Sequence, residues 1–354
     1  MSWFGESQSG WFHRLCCDVL KAGAIPRHVA FIMDGNRRYA RQMGLSSILD
    51  GHVAGFEKLA KTLEWCRDLD IREVTVYAFS IENFKRSKQE VDGIMDLARD
   101  KFKALLDEKD KLVEYDVCIR FFGNIDLLPP DLQHLVGEIS MLTINHSRYF
   151  FNVCIAYTSQ DEISRAVRQI LSGVQNGLLE PEDIDEHLIS KCLDTSRSPN
   201  PELLVRTSGE CRFSDFLLWQ CSESCLYFDK VLWPDFNFWH LCYGVLHYNR
   251  NMALIQSVMR SCKDSPITAA SSLYGVQYES SLHDADSEMH SSSDCHHQSS
   301  DRVFSNENGL DESSDQQQED SARSAQERIT DFLDWVNGMK LDKLQKLREL
   351  KLTE

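Results

Sequence analysis

The hydrophobic pattern of the chain alternates short apolar runs with longer stretches of helical periodicity. Five short runs predict buried strands, over residues 28–33, 73–79, 117–122, 150–157 and 203–205. Between them, apolar residues recur at helical intervals over residues 51–69, 88–113, 131–145 and 159–175. Strands that alternate with helices form βαβ units, so the pattern predicts an α/β fold with a mainly parallel central sheet covered by helices.

The pattern changes at both ends of the chain. Residues 1–24 place aromatic and aliphatic side chains, from Trp3 to Leu20, at the spacing of an amphipathic helix. Its aromatic face either packs on the protein's own body or contacts a membrane interface or a long lipid, and the pattern allows both. Residues 326–354 repeat apolar positions among balanced charges, which predicts a terminal helix that docks or self-associates.

The segment 264–325 has the composition of an unfolded linker. It contains 16 serines, 13 acidic residues and only two basic ones, and it has few aliphatic side chains. Such a segment buries too little surface to offset its ordering entropy, so an acidic, Ser-rich disordered insert is predicted. The predicted organisation is therefore an N-terminal helix at 1–24, an α/β domain at 25–263, the insert at 264–325 and a C-terminal helix at 326–354.

Composition excludes several classes of protein. Apolar residues make up 42% of the chain, enough for a large core. The net charge of −17 argues against general nucleic acid binding. The 12 cysteines show no C-x-x-C pair, which indicates reduced thiols facing the cytosol, and no apolar run reaches the length of a membrane span.

Polar side chains follow three of the predicted strands. They are Asp34, Gly35, Asn36, Arg37 and Arg38 after the first strand, Ser80, Glu82, Asn83, Phe84 and Arg86 after the second, and Arg206, Arg212 and Ser214 after the fifth. Ligands of open α/β sheets sit just beyond the carboxyl ends of the strands. Arginines fork onto phosphate oxygens, and one carboxylate among them suits a divalent metal. The clusters together predict a site for a diphosphate.

The first cluster alone also has a simpler interpretation. It could be a strand-end turn with an Asp–Arg salt bridge, and for that motif both interpretations stay open. The sequence has no G-x-x-x-x-G-K-[ST], G-x-G-x-x-G, G-x-S-x-G or H-E-x-x-H pattern, which argues against nucleotide hydrolysis and serine hydrolysis. It also has no D-D-x-x-D pair, which a cluster of metal ions on an allylic diphosphate would require.

Three blocks resemble the signature sequences of the cis-prenyltransferases, the undecaprenyl and dehydrodolichyl diphosphate synthases. The blocks are residues 28–38, 79–87 and 206–220, and the likeness extends over residues 1–263. Residues 77–87 are similar in particular to the eukaryotic dehydrodolichyl branch. The resemblance implies an undecaprenyl diphosphate synthase-like fold with an apolar tunnel.

The implied activity is Mg²⁺-dependent condensation of isopentenyl diphosphate onto farnesyl diphosphate, repeated many times with a Z double bond at each step. The product would be a long-chain dehydrodolichyl diphosphate for dolichol synthesis and protein glycosylation. The implied location is the cytosolic face of the endoplasmic reticulum, with peripheral membrane contact.

The resemblance also implies a role for each site residue. Asp34 would hold Mg²⁺ on the allylic diphosphate, and Asn36 and Ser80 would sit near the reacting carbons. The allylic phosphates would be cradled by Gly35, Arg37 and Arg38. The diphosphate of isopentenyl diphosphate would be bound by Arg206, Arg212 and Ser214. The loop between the substrates would be ordered by Glu82, Asn83, Phe84 and Arg86. Apolar residues of the predicted helices at 51–69 and 88–113 would line the tunnel: Phe56, Leu59, Leu63, Val91, Ile94, Leu97, Phe102, Leu105 and Leu106.

The chain departs from the family pattern in three places. Cys225 stands where bacterial members have a metal-binding glutamate, and a thiol is a poor Mg²⁺ ligand. Residues 44–52 lack an arginine that relatives place before the Gly-His pair, which puts in doubt whether His52 contacts diphosphate. The Ser-rich insert is the third departure.

The first departure bears on partners. Eukaryotic catalytic subunits share the change at position 225 and take a missing site element from a non-catalytic subunit similar to the Nogo-B receptor, whose carboxyl end carries an R-x-G motif. This chain ends in Leu-Thr-Glu without that motif. The resemblance therefore implies a heteromer in which this chain supplies Asp34 and the arginines. Two alternatives stay open: a non-catalytic scaffold subunit of such a complex, and a phosphate-ester hydrolase with Asp34 as nucleophile.

Overall fold

The computed structural model describes Trp3, residues 10–263 and residues 312–350. The strands are β1 (His28–Ile32), β2 (Glu73–Ser80), β3 (Val117–Phe122), β4 (Tyr149–Tyr157), β5 (Leu203–Arg206) and β6 (Cys225–Phe228). The helices are α1 (Trp11–Lys21), α2 (Asn36–Gln42), α3 (Ile48–Asp68), α4 (Lys88–Asp107), α5 (Lys109–Tyr115), α6 (Pro130–Thr143), α7 (Ser159–Gln175), α8 (Glu186–Cys192), α9 (Phe238–Lys263) and α10 (Glu312–Arg348).

The six strands form one parallel sheet in the order β3-β4-β2-β1-β5-β6. This confirms the predicted α/β fold with a parallel sheet. The edge strand β6 was not predicted, although it is no shorter than β5; β5 is buried along its whole length, whereas β6 is fully buried only at Cys225. Cys225 begins β6 beside Leu203, at the opposite end of the strands from the turn that follows β1. Within this chain, position 225 is therefore remote from Asp34.

The two faces of the sheet bury different partners. Val29 and Phe31 belong to the large core shared with helices α3, α4, α6 and α9. Ala30 and Ile32 face the other way and pack against the segment 213–221. This alternation follows from the period of two along a strand, and it explains why the central strands are apolar throughout.

Helices α2 and α3 approach closely because α3 has glycines at the contact. A Cβ on Gly51 would lie 2.3 Å from the carbonyl oxygen of Asn36, and a Cβ on Gly55 would lie 2.4 Å from Asn36 Oδ1. Any larger residue would push α2 away from α3. Helix α3 begins at Ile48 with a capping box formed by Ser47, so the end of the unusual 44–52 stretch is helical.

Helix α1 lies on the body of the protein by one face only. Cys17 and Leu20 are buried, whereas Trp11 is 77% exposed and Phe12 and Val19 are also exposed. Phe12 of the predicted N-terminal helix lies beside two aromatic rings, Trp11 of the same helix at 5.7 Å and Trp239 of α9 at 6.0 Å between ring centroids. In the part of the chain that the structure describes, none of the helices is both long enough and apolar enough to cross a membrane.

The chain divides into two compact units, one of Met1–Met259 with Arg328–Glu354 and one of Arg260–Glu327. In the first, α10 buries Phe332 and Val336 in a cluster with side chains of α7 and α8. Arg328 donates to Asp183 at 2.7 Å, and Lys340 Nζ donates to the carbonyl of Leu193 at 3.0 Å. Of the predicted terminal helix, the portion from Arg328 onward thus docks on the protein's own body.

The predicted insert lies only partly within the described residues, because residues 264–311 fall outside them. In the second unit, the described backbone is helical over 260–263 and again from Glu312. Helix α10 thus begins earlier than the sequence pattern indicates. Residues 312–327 contain several good helix formers, glutamine, glutamate and alanine, among their serines.

Truncation of Phe332 tests whether α10 stabilises the sheet-containing unit. Because the ring is fully buried against α7, we expect Phe332→Ala to lower the free energy of unfolding by about 3–5 kcal/mol. Leu341→Ala on the same helix removes a side chain that is 39% exposed and should change stability by no more than about 0.5 kcal/mol. Urea unfolding followed by tryptophan fluorescence measures both, and equal losses would contradict the docking.

Candidate active site

The three polar clusters meet at the carboxyl edge of the sheet. Ile32 pairs with Arg206 in the register of β1 with β5, so the residues that follow these strands emerge side by side. Arg206 Nη2 donates to Asp34 Oδ2 at 2.9 Å across 172 positions of sequence. The strand-end salt bridge and the convergent cluster, posed as alternatives for the first motif, are therefore both present.

Arg206 is the most buried charge of the site, with 2% of its surface exposed. A buried guanidinium is costly unless it is paired, and Arg206 has three acceptors: the Asp34 carboxylate, Ser214 Oγ at 2.8 Å from Nη1, and the carbonyl oxygen of Arg212. Its Nε is buried without a hydrogen-bond partner among the described residues. Two loops are thereby fixed to one side chain.

The carboxyl group of Asp34 stays ionised because of its arginines. Burial alone raises its pKa, but the hydrogen bond and charge of Arg206, with the charge of Arg38, outweigh this and hold the pKa below its usual range. Arg38 Nη2 lies 3.6 Å from Asp34 Oδ1. An ionised carboxylate is the form that a cation requires.

The backbone around Asp34 is fixed from three sides. Thr207 Oγ1 accepts from the Asp34 amide at 3.1 Å and donates to its carbonyl at 2.7 Å, and the Trp233 amide donates to the same carbonyl at 3.0 Å. Gly35 has φ 115°, a left-handed conformation that strongly favours glycine, and a Cβ there would lie 3.0 Å from Leu232. The turn is therefore rigid before any ligand binds.

Arg38 and Arg212 lie on the outer side of this centre. Arg38 donates to the Ser208 carbonyl at 3.1 Å and to Ser208 Oγ at 2.5 Å, and its Nη2 is 3.6 Å from Glu210. The guanidinium of Arg212 is mostly exposed and pairs with Glu210. Exposed pairs of this kind are weak, so an incoming phosphate can displace the glutamate.

The loop after β2 is ordered by its own polar side chains. Ser80 Oγ accepts from the Glu82 amide at 3.1 Å, and Asn83 Oδ1 accepts from the Ser80 amide at 3.1 Å, which together cap a 3₁₀ turn over Ile81–Lys85. Phe84 packs edge-on against Phe79 with centroids 4.9 Å apart. The structure thus gives Ser80, Asn83 and Phe84 clear local roles in shaping this loop.

The structure turns two of the predicted site residues away from the centre. The Glu82 side chain is largely exposed and pairs with Lys85. The side chain of Asn36 lies against Gly55 of α3, and its buried Oδ1 has no hydrogen-bond partner among the described residues. In this conformation neither side chain is seen to contact Asp34 or the arginines.

Glu90, a carboxylate that contacts arginines of the site, was not predicted as a site residue from the sequence. Its Oε1 accepts from Arg86 Nη1 at 2.9 Å and lies 3.9 Å from Arg37 Nε and 3.7 Å from His52 Nε2. A sequence signal existed, because Ser87 and Glu90 have the spacing of a helix cap, and the Glu90 amide does donate to Ser87 Oγ. The carboxylate of Glu90 therefore brings together Arg37 of the first cluster and Arg86 of the second.

The arrangement suits Mg²⁺ as a shared ion. In the described part of the chain, no cluster of three or more histidine, cysteine, aspartate or glutamate side chains could hold a metal by itself. Asp34 offers one ionised carboxylate, and Mg²⁺ is commonly held by one or two carboxylates together with substrate phosphates. The donor set of this edge fits a magnesium ion that arrives with a diphosphate.

An apolar layer lies between the sheet and helices α3 and α4. Most of the residues predicted to line a tunnel belong to it: Leu59, Phe102 and Leu105 are buried, and Phe56, Leu63, Val91, Ile94 and Leu106 pack around them. The remaining one, Leu97, is half-buried and lies outside this cluster. A cavity of about 80 Å³ lies in this layer, and Trp3, Leu105 and Phe151 line part of it. Trp3 is held there by a bond from Nε1 to the Lys101 carbonyl at 2.9 Å.

Together these features define an α/β protein with an arginine-rich anion site at the carboxyl edge of a parallel sheet, next to an apolar layer. Residues 32–254 match the family model described as putative undecaprenyl diphosphate synthase. The chain belongs to this family, the cis-prenyltransferases, and is an enzyme of cis-prenyl chain elongation.

Individual relatives agree with this assignment. The human dehydrodolichyl diphosphate synthase complex subunit DHDDS is 56% identical over 72% of this chain and 77% of its own length. A tritrans,polycis-undecaprenyl-diphosphate synthase of Thermococcus kodakarensis is 44% identical over 62% of this chain and 82% of its own. Lavandulyl diphosphate synthase of Lavandula x intermedia superposes with a TM-score of 0.60 at 33% identity, covering 64% of this chain and 95% of its own. The predicted fold, family and enzymatic activity are confirmed.

The pH dependence of stability tests the environment of His52. Burial, followed by the charge of Arg86, lowers the pKa of His52 to about 4. Between about pH 6.5 and pH 4, His52 therefore binds a proton in the unfolded chain but not in the folded chain. The free energy of unfolding consequently decreases by up to about 3 kcal/mol as the pH falls through that range.

We expect His52→Asn to lose less stability on acidification than the natural chain, by up to about 3 kcal/mol between pH 6.5 and pH 4. Urea unfolding at a series of pH values measures the difference. Parallel pH curves for the two proteins would show that His52 is not held neutral in the folded state.

Proposed function

We propose that this cis-prenyltransferase condenses isopentenyl diphosphate repeatedly onto farnesyl diphosphate and releases long-chain dehydrodolichyl diphosphate for dolichol synthesis and protein glycosylation. The observation that carries the proposal is the Asp34–Arg206 pair, which joins two strand-end loops at one edge of the sheet. The name of the human relative, a dehydrodolichyl diphosphate synthase complex subunit, supports the choice of product.

In this proposal the allylic diphosphate binds at the turn after β1. Gly35 lets the backbone approach its phosphates, and Arg37 and Arg38 bind them, so the negative charge that grows on the leaving group as the C–O bond breaks is stabilised. Asp34 would hold Mg²⁺ on these phosphates, and the bound ion would neutralise part of the same charge. Asp34 is suited to this because its arginines keep it ionised.

The second substrate binds beside the first. Arg206, Arg212 and Ser214 hold the diphosphate of isopentenyl diphosphate, with Arg206 linking both subsites. Ser80 would lie near the reacting carbons, and Asn36 would join it there once the substrates bind. The loop of Glu82, Asn83, Phe84 and Arg86 closes between the substrates, and we infer that Glu82 and Asn36 turn toward them only when they bind. Holding both substrates in one geometry supplies much of the rate enhancement.

The growing chain enters the apolar layer between α3, α4 and the sheet. Its cavity of about 80 Å³ is small beside the several hundred Å³ of ordinary ligand pockets, so a long product requires the layer to open. Leu59, Phe102 and Leu105 are the buried side chains that it would meet.

We infer that the enzyme works as a heteromer at the cytosolic face of the endoplasmic reticulum. The human relative is named as a subunit of a complex. Cys225 offers no hard oxygen ligand and begins β6 away from Asp34, so any second metal ligand must come from elsewhere. A non-catalytic subunit similar to the Nogo-B receptor, with a carboxyl-terminal R-x-G motif, would supply that missing element of the site.

Asp34→Ala tests the proposed chemistry. We expect the loss of about 3 kcal/mol or more of transition-state stabilisation, roughly a hundredfold or more in kcat, because the carboxylate that holds Mg²⁺ is removed. Incorporation of labelled isopentenyl diphosphate into polyprenol is measured for the chain with its partner, for the chain alone and for the partner alone. Asp126→Asn, an exposed carboxylate paired with Lys343, is the matched control.

Near-normal turnover of Asp34→Ala in the complex would refute the assignment of Asp34. Incorporation by the partner alone would make this chain the scaffold, and release of inorganic phosphate without polyprenol would make it a phosphatase. Full activity of the chain without any partner would refute the heteromer.

Peripheral membrane contact through α1 forms a separate test. The exposed Trp11, Phe12 and Val19 of α1 form an apolar surface with Trp239, as an interfacial helix requires. We expect replacement of the three α1 residues by serine to reduce cosedimentation of the complex with phospholipid vesicles at least severalfold. Leu171→Ser, at an exposed apolar position of α7, should leave it unchanged. Equal binding by both variants would exclude α1 as the contact.

A further inference from the structure

A buried carboxylate outside the substrate clusters, Glu162 of α7, has no role in the chemistry described above. Only 1% of its surface is exposed. Its Oε2 accepts from the Tyr157 hydroxyl at 2.6 Å and from Gln220 Nε2 at 2.9 Å, and its Oε1 accepts from the Thr195 amide at 3.3 Å. Burying a carboxyl group costs free energy, which its hydrogen bonds must offset.

Two of the residues that donate to Glu162, Gln220 and Thr195, are also hydrogen-bonded to each other. Gln220 Nε2 also donates to Thr195 Oγ1 at 2.7 Å, which closes a three-residue network around Glu162. Gln220 lies at the end of the segment 214–220, whose first residue, Ser214, accepts from Arg206. The network is thus connected through six positions of backbone to the arginine at the centre of the site.

That segment is strained and needs external support. Ser214, Asp215 and Leu217 have φ values of 52°, 58° and 46°, in the left-handed region that side chains other than glycine avoid. Each such residue persists only where its surroundings over-determine it. A chain in this conformation would relax if its anchors were removed.

The start of α7 supplies most of the anchors. The Ser159 amide donates to the Asp215 carbonyl at 2.9 Å, and the Gln160 amide donates to Asp215 Oδ1 at 3.2 Å. The Leu218 amide donates to Ser159 Oγ at 2.9 Å. Glu162 lies one helical turn further on and fixes the far end of the segment through Gln220.

We propose that Glu162 is a positioning residue: with Tyr157 and Gln220 it forms a latch that holds segment 214–220, so that Ser214 and the Arg212 carbonyl keep Arg206 in place for the diphosphate of isopentenyl diphosphate. The proposal rests on the subsite assigned above to Arg206, Arg212 and Ser214. It differs from a general structural role because it predicts a larger effect on isopentenyl diphosphate, the substrate assigned to Ser214 and the Arg212 loop, than on farnesyl diphosphate.

Steady-state kinetics of the full chain with its partner test the latch. We expect Glu162→Ala to raise the KM for isopentenyl diphosphate about tenfold, because the buried donors of Gln220 and Thr195 lose their acceptor. The change in the KM for farnesyl diphosphate should be much smaller. Glu162→Gln keeps an acceptor for Tyr157 and Gln220 and should stay within about threefold. Gln220→Ala should resemble Glu162→Ala, and the double variant should be no worse than either single one.

Amide hydrogen exchange gives a second reading. Residues 215–220 should lose protection in Glu162→Ala while residues 29–32 of β1 keep theirs. If Glu162→Ala does not fold, Tyr157→Phe is the substitute, because it removes only the hydroxyl that donates to Glu162. It should raise the KM for isopentenyl diphosphate in the same way but to a smaller extent. Asp183→Asn, which breaks a comparably buried carboxylate pair with Arg328, is the control for a general loss of stability and should leave both KM values unchanged.

Two outcomes separate the latch from the subsite assignment. If Arg212→Ala raises the KM for isopentenyl diphosphate but the Glu162 and Gln220 variants do not, the subsite stands and the latch is refuted. If Arg212→Ala leaves that KM unchanged, the subsite assignment fails and the latch fails with it. A rise of both KM values in Glu162→Ala and Asp183→Asn alike would reduce Glu162 to a structural residue.

Discussion

The ion pair of Asp34 with Arg206 is the interaction on which the rest of the site depends. The register of β1 with β5 brings the two residues together, and the low exposure of Arg206 makes its charge costly without acceptors. One carboxylate does not satisfy all five guanidinium donors, so the chain brings Ser214 and the Arg212 carbonyl to the same side chain. The loop after β5 is therefore folded around a charge that β5 itself carries.

That constraint explains why a strained loop is present. The turns that return the chain to Arg206 place Ser208, Ser214, Asp215 and Leu217 at positive φ, each costing about 1–2 kcal/mol. Burial of Phe216, stacked on Tyr77 at 4.5 Å, and the bonds from the start of α7 offset this cost. Anion sites built in this way are organised before the ligand arrives, so binding spends little free energy on ordering the protein.

Much of this was predictable from the sequence, and the rest was not for physical reasons. The apolar runs predicted five of the six strands, and the position of Asp34 and Arg206 after strands predicted their convergence, because parallel strands share one carboxyl edge. The sequence carries no comparable signal for β6, a half-buried edge strand, or for Glu162, because two of its three hydrogen-bond partners, Thr195 and Gln220, are distant in sequence. Glu90 could have been found from its helix-cap spacing alone, but its approach to Arg37 and His52 depends on tertiary packing.

The same packing places the polar edge beside the apolar layer. Gly51 and Gly55 let α2 lie directly on α3, so the turn that begins at Asp34 sits at the end of the helix whose other face supplies Leu59 and Leu63 to the core. A diphosphate held at that turn would have its hydrocarbon tail next to apolar side chains. A side chain larger than hydrogen at Gly55 would separate α2 from α3 and move the charged turn away from the apolar layer. The two glycines therefore couple head-group binding to the path of the tail.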